Sequence, residues 1–258
     1  LTQPLSDSVM QELKDAFATY SVIFFRDQSL SPQQHIDLAE QWGEININRF
    51  FKPLDGYPQI AEVIKAPDQK ENIGGTWHTD HSYDQIPAMG SMLYARQVPP
   101  AGGDTLFASM TLAFEALSDG MKKTLLGLNA WHSSRHAFGY SVSDSEHYED
   151  GRLANPELAV QDALHPVIIT HPLSGKKALY VNADFTVRFD GWTTEESQPL
   201  LDFLYAHGAR EEFTCRFEWQ EGSIALWDNR ATWHNAMNDY HGHRRVMHRI
   251  TLEGVALQ

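Results

Sequence analysis

The segment TCRFEWQEGSIALWDNRATWHNAMNDYHGHRRVMHRITL, residues 214–252, contains three candidate β-strands joined by polar connections. The candidates lie at residues 214–219, 223–227 and 245–252, and they are rich in the aromatic and β-branched side chains that favour extended backbone. Earlier candidates lie at residues 60–64, 92–95, 164–169 and 178–181. Many short strands in the later part of a chain are typical of a β-sandwich or jelly roll.

Helical patterns flank these strands and predict helices packed outside a mainly β core. A first helix is expected to begin at Ser6 or Asp7, because either side chain can cap it and the next residues have the apolar spacing of a helix. A second helix is expected to begin at Ser31-Pro32. Residues 112–128 and 194–207 are also predicted to be helical, and residues 21–25 are predicted to form a buried strand.

The chain is expected to form a single domain over residues 1–258. This length suffices for one substantial hydrophobic core, and no linker or internal repeat divides the sequence. Residues 139–162 are polar and irregular, which is typical of a long loop or lid. Because residue 1 is a leucine rather than a methionine, we expect a short N-terminal segment to precede it.

Composition and charge exclude several classes of partner. The formal net charge of −14 argues against broad nucleic-acid binding, because contact with phosphates needs a basic surface. A small anionic substrate is compatible with this charge, since a few buried arginines can dominate a site locally. No apolar run is long enough to span a bilayer, and no signal peptide is recognisable. Cys215 is the only cysteine, so an intrachain disulfide is excluded and a cytoplasmic location is favoured.

The motif WHTD, residues 77–80, is the first candidate for a metal site. In an extended segment residues i and i+2 project to the same side, so His78 and Asp80 could bind one ion. We predict His234 as the third ligand, because it follows closely on the strand candidate at residues 223–227. Two imidazoles and one carboxylate on one face leave three adjacent positions open, as in non-haem Fe(II) oxygenases.

Other interpretations of this triad fit the same residue types. A His-x-Asp pair arises by chance in many proteins, and with 13 histidines in the chain the pair alone favours a structural role. Imidazole and carboxylate ligands also suit zinc, although zinc enzymes usually leave only one position for water. A zinc hydrolase and a non-catalytic metal-binding jelly roll therefore stay open as alternatives. Surface or loop positions are expected for His35, His132, His136, His147, His207 and His241.

The stretch HRRVMHR, residues 243–249, offers candidate partners for an anion. If a 2-oxo acid supplies electrons to such a metal site, its distal carboxylate needs a buried cation, and arginine binds carboxylates bidentately. In a strand, Arg245 and Arg249 would share one face, with Met247 between them. The alternative is a solvated basic edge strand, which the spacing alone favours.

Seven short segments follow one another along nearly the whole chain: FRDQ (25–28), WHTD (77–80), GGDTL (102–106), LHPV (164–167), THP (170–172), WDNR (227–230) and RRVMHR (244–249). In this order they resemble the TauD/TfdA family of Fe(II)/2-oxoglutarate-dependent dioxygenases. The resemblance implies a double-stranded β-helix, which is a jelly roll of the cupin type. It implies that His78, Asp80 and His234 bind Fe(II), and that Thr105 and Arg245 bind the distal carboxylate of 2-oxoglutarate.

The resemblance also implies hydroxylation of a small anionic organic substrate, such as a sulfonate, a sulfate ester or a carboxylate, with succinate and CO2 as products. Arg249 matches the arginine that holds the substrate anion in taurine-converting members. Asn48, Phe51 and Gly74 stand where those members carry a histidine, a tyrosine and an asparagine, which predicts a larger or more apolar anion than taurine. Substrate contact or simple packing is expected for His81, Tyr83 and Phe185.

Three further expectations come with the resemblance. Activity is expected to require Fe(II), 2-oxoglutarate and O2 together. Related enzymes often form dimers or tetramers, so a homo-oligomer is expected. The segment WDNR is expected to be a structural turn ahead of His234, with no catalytic part for Asp228 or Arg230.

Overall fold

The fold is mainly β, with helices packed beside its sheets. The computed structural model describes residues 1–257. Its strands are β1 (Val22–Phe25), β2 (Ile45–Asn46), β3 (Pro53–Leu54), β4 (Tyr57–Lys65), β5 (Gly90–Gln97), β6 (Thr105–Ser109), β7 (Asn129–Ser133), β8 (Asp162–Pro166), β9 (Ile168–Thr170), β10 (Lys177–Leu179), β11 (Thr186–Phe189), β12 (Thr214–Phe217), β13 (Ile224–Asp228), β14 (Thr232–Ala236) and β15 (Arg245–Leu252). Its α-helices are α1 (Asp7–Tyr20), α2 (Pro32–Glu40), α3 (Met110–Glu115), α4 (Asp119–Leu125), α5 (Arg135–Phe138), α6 (Glu146–Glu149) and α7 (Thr194–Gly208). None of the helices in this range combines the length and the apolar composition that crossing a bilayer requires.

The first two helices begin where the sequence predicts. The Ser6 side chain accepts a hydrogen bond from the Val9 amide and so caps α1. Ser31 caps α2 in a reciprocal capping box with Gln34, with Pro32 at the first helical position. The apolar sides of both helices pack into one buried cluster beside the sheet.

Two antiparallel sheets pack against each other and form the framework of the site. The larger sheet has the order β1-β13-β5-β15-β4-β3, with β2 beside β15, and the smaller sheet has the order β12-β6-β14. Buried side chains from both sheets share one cluster between them. Within it, the ring centres of Phe107 in β6 and Trp227 in β13 lie 5.6 Å apart. The prediction of a mainly β fold is therefore confirmed.

Strand β15 lies in the middle of the larger sheet, between β5 and β4. Arg245, Met247 and Arg249 are all buried, and Met247 belongs to the cluster between the sheets. The predicted face with two arginines therefore points into the protein. The interpretation of this stretch as a solvated edge strand is wrong, because β15 has a hydrogen-bonded neighbour on each side.

Two elements that the sequence predicts as continuous are each divided in the structure. The predicted helix over residues 112–128 divides into α3 and α4, because the Ser118 side chain accepts a hydrogen bond from the Met121 amide and starts a new helix. The predicted strand over residues 164–169 divides into β8 and β9, which belong to different sheets. Pro166 ends β8, and it has no N–H with which to continue a ladder.

Burial at several positions also differs from the sequence prediction. Strand β1 lies at the edge of the larger sheet and Phe24 is 36% exposed, so the expected buried strand is partly exposed. His35, His132 and His207 are buried rather than exposed. The Nε2 of His207 hydrogen-bonds the Ala113 carbonyl at 2.7 Å, which shows how a buried imidazole is satisfied by a distant segment.

Residues 139–162 contain α6 and two single turns of 3-10 helix rather than an unstructured loop. Arg152 stabilises this segment by donating to the Asp150 carboxylate at 2.7 Å. Leu153 forms an isolated β-bridge with Phe51, which joins the segment to the wall of the cavity described below. That the segment acts as a lid stays a prediction.

A buried ionic network supports the hairpin formed by β13 and β14. Asp228 at the end of β13 is fully buried, and Arg230 donates to its two oxygens at 2.8 and 2.6 Å. His171 Nε2 lies 2.9 Å from the same carboxylate and carries the proton, because an ionised carboxylate only accepts. Burial alone would raise the pKa of Asp228, but Arg230 and His171 lower that pKa to about 2.

Replacing Asp228 with asparagine is expected to lower the free energy of unfolding by about 3 kcal/mol, because Arg230 loses its buried ionic partner. The pKa of Asp228 in the folded chain lies below its ordinary value of 3.8, so the stabilisation is complete above that pH and declines as the pH falls toward 2. Urea denaturation at several pH values measures the difference, with the exposed Asp37→Asn as control. A difference between wild type and Asp228→Asn that is unchanged in acid would contradict this assignment.

Candidate active site

The three side chains predicted to bind a metal are buried and lie together. His78, Asp80 and His234 each offer one ligand atom, and these atoms lie within 4.8 Å of one another. Asp80 Oδ1 is 3.8 Å from His78 Nε2, and Asp80 Oδ2 is 3.9 Å from His234 Nε2. Among residues 1–257, this group of potential ligands has no fourth member.

Backbone hydrogen bonds bring the two histidines to one place. His234 lies in β14, and His78 forms an isolated β-bridge with it. The His78 amide donates to the His234 carbonyl at 3.1 Å, and the His234 amide donates to the His78 carbonyl at 2.8 Å. The Thr79 hydroxyl donates to the Asn229 carbonyl and so holds the WHTD segment against the turn between β13 and β14.

The protonation of the triad suits a metal ion. His78 Nδ1 lies 2.8 Å from the Thr76 carbonyl, which only accepts, so Nδ1 carries the proton and Nε2 has a free lone pair. Burial lowers the pKa of His234 well below its usual value, and His78 lowers it further, which keeps the imidazole neutral. Burial would raise the pKa of Asp80, but Arg249 and the neighbouring imidazoles bring it below its usual range. Neutral imidazoles and an ionised carboxylate are the forms that bind metals.

Two donors contact the Asp80 carboxylate from outside the triad. The Ser91 hydroxyl, in β5, donates to Oδ2 at 2.9 Å. Arg249 Nη1, in β15, lies 3.4 Å from Oδ1. The site therefore has the donor set of non-haem Fe(II) oxygenases, in which three protein ligands leave three positions for co-substrate and O2.

Arg245 supplies a second cation close to the triad. It is 5% exposed, and its Nε and Nη2 atoms have no hydrogen-bond partner within the described chain. Burial lowers the pKa of Arg245, yet an arginine guanidinium stays protonated in proteins. Because an unpaired buried charge is strongly unfavourable, these free donors indicate a place for an anion.

Thr105 and Trp219 complete this anion subsite. The Trp219 indole donates to Thr105 Oγ1 at 2.9 Å, so the threonine proton is free for another acceptor. The guanidinium carbon of Arg245 lies 5.8 Å from the centre of the Trp219 ring. Thr105 and Arg245 both line the cavity that contains the triad, and together they fit the distal carboxylate of a dicarboxylate.

One cavity of about 420 Å³ contains the triad and the anion subsite. Its volume is in the range of small-molecule sites. The structure brings every residue predicted for substrate contact to the wall of this cavity: Asn48, Phe51, Gly74, His81, Tyr83, Phe185 and Arg249.

The polar and small residues of this wall have defined local roles. Asn48 Oδ1 accepts hydrogen bonds from the Phe50 and Phe51 amides at 2.9 and 3.0 Å, which fixes the backbone that presents Phe51. Gly74 has a φ of +81°, and a Cβ added there would lie 3.2 Å from Cε1 of His78. Gly74 therefore leaves space for the ring of His78.

Aromatic rings form much of the wall. The Arg249 guanidinium lies 4.3 Å from the centre of the Phe51 ring. Tyr83 and Phe185 meet edge to face with their centres 4.9 Å apart. Phe138, in α5, lies 5.9 Å from Phe185 and extends this apolar surface. An anion held by Arg249 would therefore have its remaining atoms against aromatic side chains.

His81 is a polar residue among the aromatic side chains of the wall. Its Nδ1 lies 3.0 Å from an Asp84 oxygen, and Arg49 donates to both Asp84 oxygens at 2.7 Å. His81 Nε2 is buried without a partner in the described chain. The residue has a φ of +59°, a conformation that costs free energy for any side chain other than glycine.

Several residues of the site were not predicted from the sequence. The residues in question are Ser91, Trp219, His136, Phe138, His147, Leu153 and Asp184. Ser91 and Trp219 act on predicted site residues by hydrogen bonds, each of which joins a strand to a segment outside the strands. The others approach the cavity from loops and short helices, where no local pattern indicates their direction.

Comparison with known proteins places the chain in a family of dioxygenases. A family model described as "Taurine catabolism dioxygenase TauD, TfdA family" matches residues 1–251. An alkylsulfatase from Acinetobacter baylyi is 35% identical over 257 residues, which cover 98% of this chain and 80% of that protein. An alpha-ketoglutarate-dependent sulfate ester dioxygenase from Pseudomonas putida is 31% identical over 256 residues, with 98% and 84% coverage. A solved taurine dioxygenase from Burkholderia xenovorans superposes with a TM-score of 0.82 at 32% identity, over 99% of this chain and 85% of that chain.

Two histidines and an aspartate converge in a mainly β fold beside a buried arginine, and this donor set is the one that non-haem Fe(II) oxygenases use. The chain belongs to the TauD/TfdA family of dioxygenases. The family resemblance and the jelly-roll prediction drawn from the sequence are therefore confirmed.

Proposed function

We propose that this chain is an Fe(II)- and 2-oxoglutarate-dependent dioxygenase that hydroxylates a small anionic organic substrate and releases succinate and CO2. One observation carries the proposal: Arg245, a buried guanidinium with unpartnered nitrogens, lines the same cavity as the three potential metal ligands. The Pseudomonas putida relative, named as an alpha-ketoglutarate-dependent sulfate ester dioxygenase, supports both the co-substrate and the class of substrate.

In this proposal His78, Asp80 and His234 hold the ferrous ion. When bound, Fe(II) supplies the O2 and electron-transfer chemistry that amino-acid side chains lack. The protein keeps the His234 imidazole neutral and the Asp80 carboxylate ionised, and it buries all three groups away from bulk water.

Arg245 and Thr105 bind the distal carboxylate of 2-oxoglutarate. The guanidinium offers its free nitrogens, and the Thr105 hydroxyl donates the proton that its bond with Trp219 leaves available. Anchoring this end of a five-carbon dicarboxylate directs the other end, with its 2-oxo group, toward the triad. The co-substrate is thereby oriented before the primary substrate enters.

Arg249 binds the anionic group of the primary substrate, and the aromatic wall packs against the remainder. Phe51 supports the guanidinium from one side, and Phe185 and Tyr83 face the same cavity. His81 offers the Nε2 atom as a polar contact, and Asn48 and Gly74 shape the wall through Phe51 and His78. This surface favours an anion larger or more apolar than taurine.

Two alternative functions, a zinc hydrolase and a non-catalytic metal-binding protein, would leave some of these residues without a role. A zinc hydrolase with the same triad would act without O2 or 2-oxoglutarate, and a non-catalytic metal-binding jelly roll would need no second anion subsite. Neither gives a role to the buried guanidinium of Arg245 beside the hydroxyl of Thr105.

A cytoplasmic location and a homo-oligomer are also proposed. The single cysteine supports a reducing compartment, and the net charge of −14 argues against nucleic acid as a partner. The oligomeric state rests on the family resemblance, and light scattering on the purified chain measures it directly. Closure of residues 139–162 over the cavity is proposed because Leu153 and His147 line it.

Succinate formation with a panel of anions tests the proposed function. Purified protein with Fe(II), ascorbate and 2-oxoglutarate is supplied with alkyl sulfates, alkyl and aryl sulfonates, and aryl carboxylates. At least one of them is expected to raise succinate release, and omission of O2 should abolish it. A panel without any substrate-dependent succinate would contradict the proposal.

Replacing Arg249 with methionine is expected to raise the KM for the anionic substrate by about 100-fold, because a charge-assisted contact is worth roughly 3 kcal/mol. The KM for 2-oxoglutarate should change by less than about threefold, since Arg245 is intact. Steady-state kinetics on the best anion of the panel measures both constants. The exposed Arg210→Met is the control, and an equal change in the two constants would contradict the separate roles of the arginines.

A further inference from the structure

The Asp80 carboxylate reaches the metal site from a segment outside the main sheets. The residues around it, 79–89, form turns and irregular backbone, whereas His234 lies within β14. The direction of the carboxylate therefore depends on contacts made by the side chain itself. The observed orientation places one oxygen near each imidazole nitrogen, at 3.8 and 3.9 Å.

The position of Ser91 suits it to hold the Asp80 carboxylate in that orientation. It is fully buried in β5, where it pairs with Trp227 of β13 on one side and Thr251 of β15 on the other. Two backbone neighbours fix its position in the centre of the larger sheet. Its hydroxyl donates to Asp80 Oδ2 at 2.9 Å, so a rigid element holds a carboxylate that comes from an irregular one.

Arg249 is less suited than Ser91 to hold the Asp80 carboxylate in place. Its nearest nitrogen lies 3.4 Å from Asp80 Oδ1, a longer contact than the serine bond. The same guanidinium is proposed above to bind the substrate anion, which would compete with Asp80 for its donors. A neutral hydroxyl on the opposite oxygen keeps its bond whether or not substrate is present.

We propose that Ser91 is a positioning residue that fixes the metal-binding orientation of Asp80 through its hydroxyl. This inference rests on the proposed metal site, and Ser91 touches neither substrate nor co-substrate. Without the hydroxyl, the carboxylate can rotate away from the imidazole nitrogens, and metal affinity falls by the amount typical of groups that orient metal ligands, about 10- to 100-fold.

Calorimetric titration of the metal-free chain with Co(II) tests this role without any turnover. Ser91→Ala is expected to raise the Kd for Co(II) by about 10- to 100-fold. The matched control is Ser197→Ala in α7, which removes another fully buried hydroxyl with hydrogen bonds remote from the cavity. Its Kd should stay within about twofold of wild type, and circular dichroism checks that both variants are folded. The visible spectrum of bound Co(II) reports a changed coordination in Ser91→Ala alone.

The outcomes separate the role of Ser91 from the metal site itself. Equal Co(II) affinity in wild type and Ser91→Ala overturns the positioning role and leaves the proposed function intact. Equal weakening in Ser91→Ala and Ser197→Ala also overturns it, because the effect would then be a general loss of packing. A wild-type chain without Co(II) affinity contradicts the metal site, and the role of Ser91 with it.

Discussion

Replacing Asp80 with alanine is expected to abolish metal-dependent turnover, with a fall in kcat/KM of at least about 1,000-fold. The loss exceeds the roughly 100-fold expected from a residue that merely orients a ligand, because the only carboxylate of the triad is removed. It also leaves the buried guanidinium of Arg249 without its anionic neighbour. Iron content after anaerobic loading measures the loss of metal binding, and succinate release measures the loss of turnover.

The exposed Asp37→Ala, on α2, is the control for this change. It should retain wild-type iron content and wild-type succinate release. If Asp80→Ala retains one iron per chain and substantial turnover, the metal is bound elsewhere and the assignment of the triad is contradicted.

Replacing Arg245 with alanine is expected to raise the KM for 2-oxoglutarate by about 100- to 1,000-fold. Truncation of one partner in a buried, charge-assisted contact costs roughly 3 to 4 kcal/mol, and each 1.4 kcal/mol is about a factor of ten. Metal affinity should be unchanged, since within residues 1–257 Arg245 forms neither a hydrogen bond nor an ion pair with the triad. Co-substrate titrations at saturating Fe(II) measure the first quantity, and calorimetry with Co(II) measures the second.

The neighbouring Arg244 provides a matched control, because it has the same charge but is exposed. Arg244→Ala should keep the KM for 2-oxoglutarate within about twofold of wild type. Similar values of this KM in the two variants would mean that general positive charge, rather than the buried guanidinium, determines co-substrate binding.

The parts of the site that follow local chain geometry could be predicted from the sequence. Spacing by two residues placed Arg245 and Arg249 on one face of β15, with Met247 between them. The same spacing in WHTD brought the side chains of His78 and Asp80 together, although Asp80 lies in a turn rather than in the extended segment that was predicted. These relations hold whichever strands become neighbours. Whether the arginine face is buried depends on β4 and β5, and spacing alone favoured the wrong answer there.

The residues that support the predicted groups could not be found in this way. Ser91 is one serine ahead of the apolar run at residues 92–95 of β5, and its bond to Asp80 exists only after β5 has taken its place between β13 and β15. Trp219 similarly meets Thr105 through the pairing of β12 with β6. Such contacts depend on tertiary structure, which a single sequence does not encode as a local pattern.

The break in the helix predicted over residues 112–128 has a local cause that is visible in the sequence. The break between α3 and α4 occurs at Ser118, which is followed by Asp119, and this pair has the composition of a helix start. The prediction of a single helix gave more weight to the apolar spacing over residues 112–128 than to this helix start. The buried histidines differ in this respect, because the partner that His207 finds at Ala113 is 94 residues away.

Anaerobic binding of 2-oxoglutarate, measured by calorimetry with and without Fe(II), tests the central claim most directly. The expected result is one 2-oxoglutarate per chain, bound at least about tenfold more tightly when Fe(II) is present, because metal and Arg245 then hold opposite ends of the same molecule. Arg245→Ala should abolish most of this binding in either condition. Affinity that is independent of Fe(II), or unaffected by Arg245→Ala, would contradict a shared site for the two cofactors.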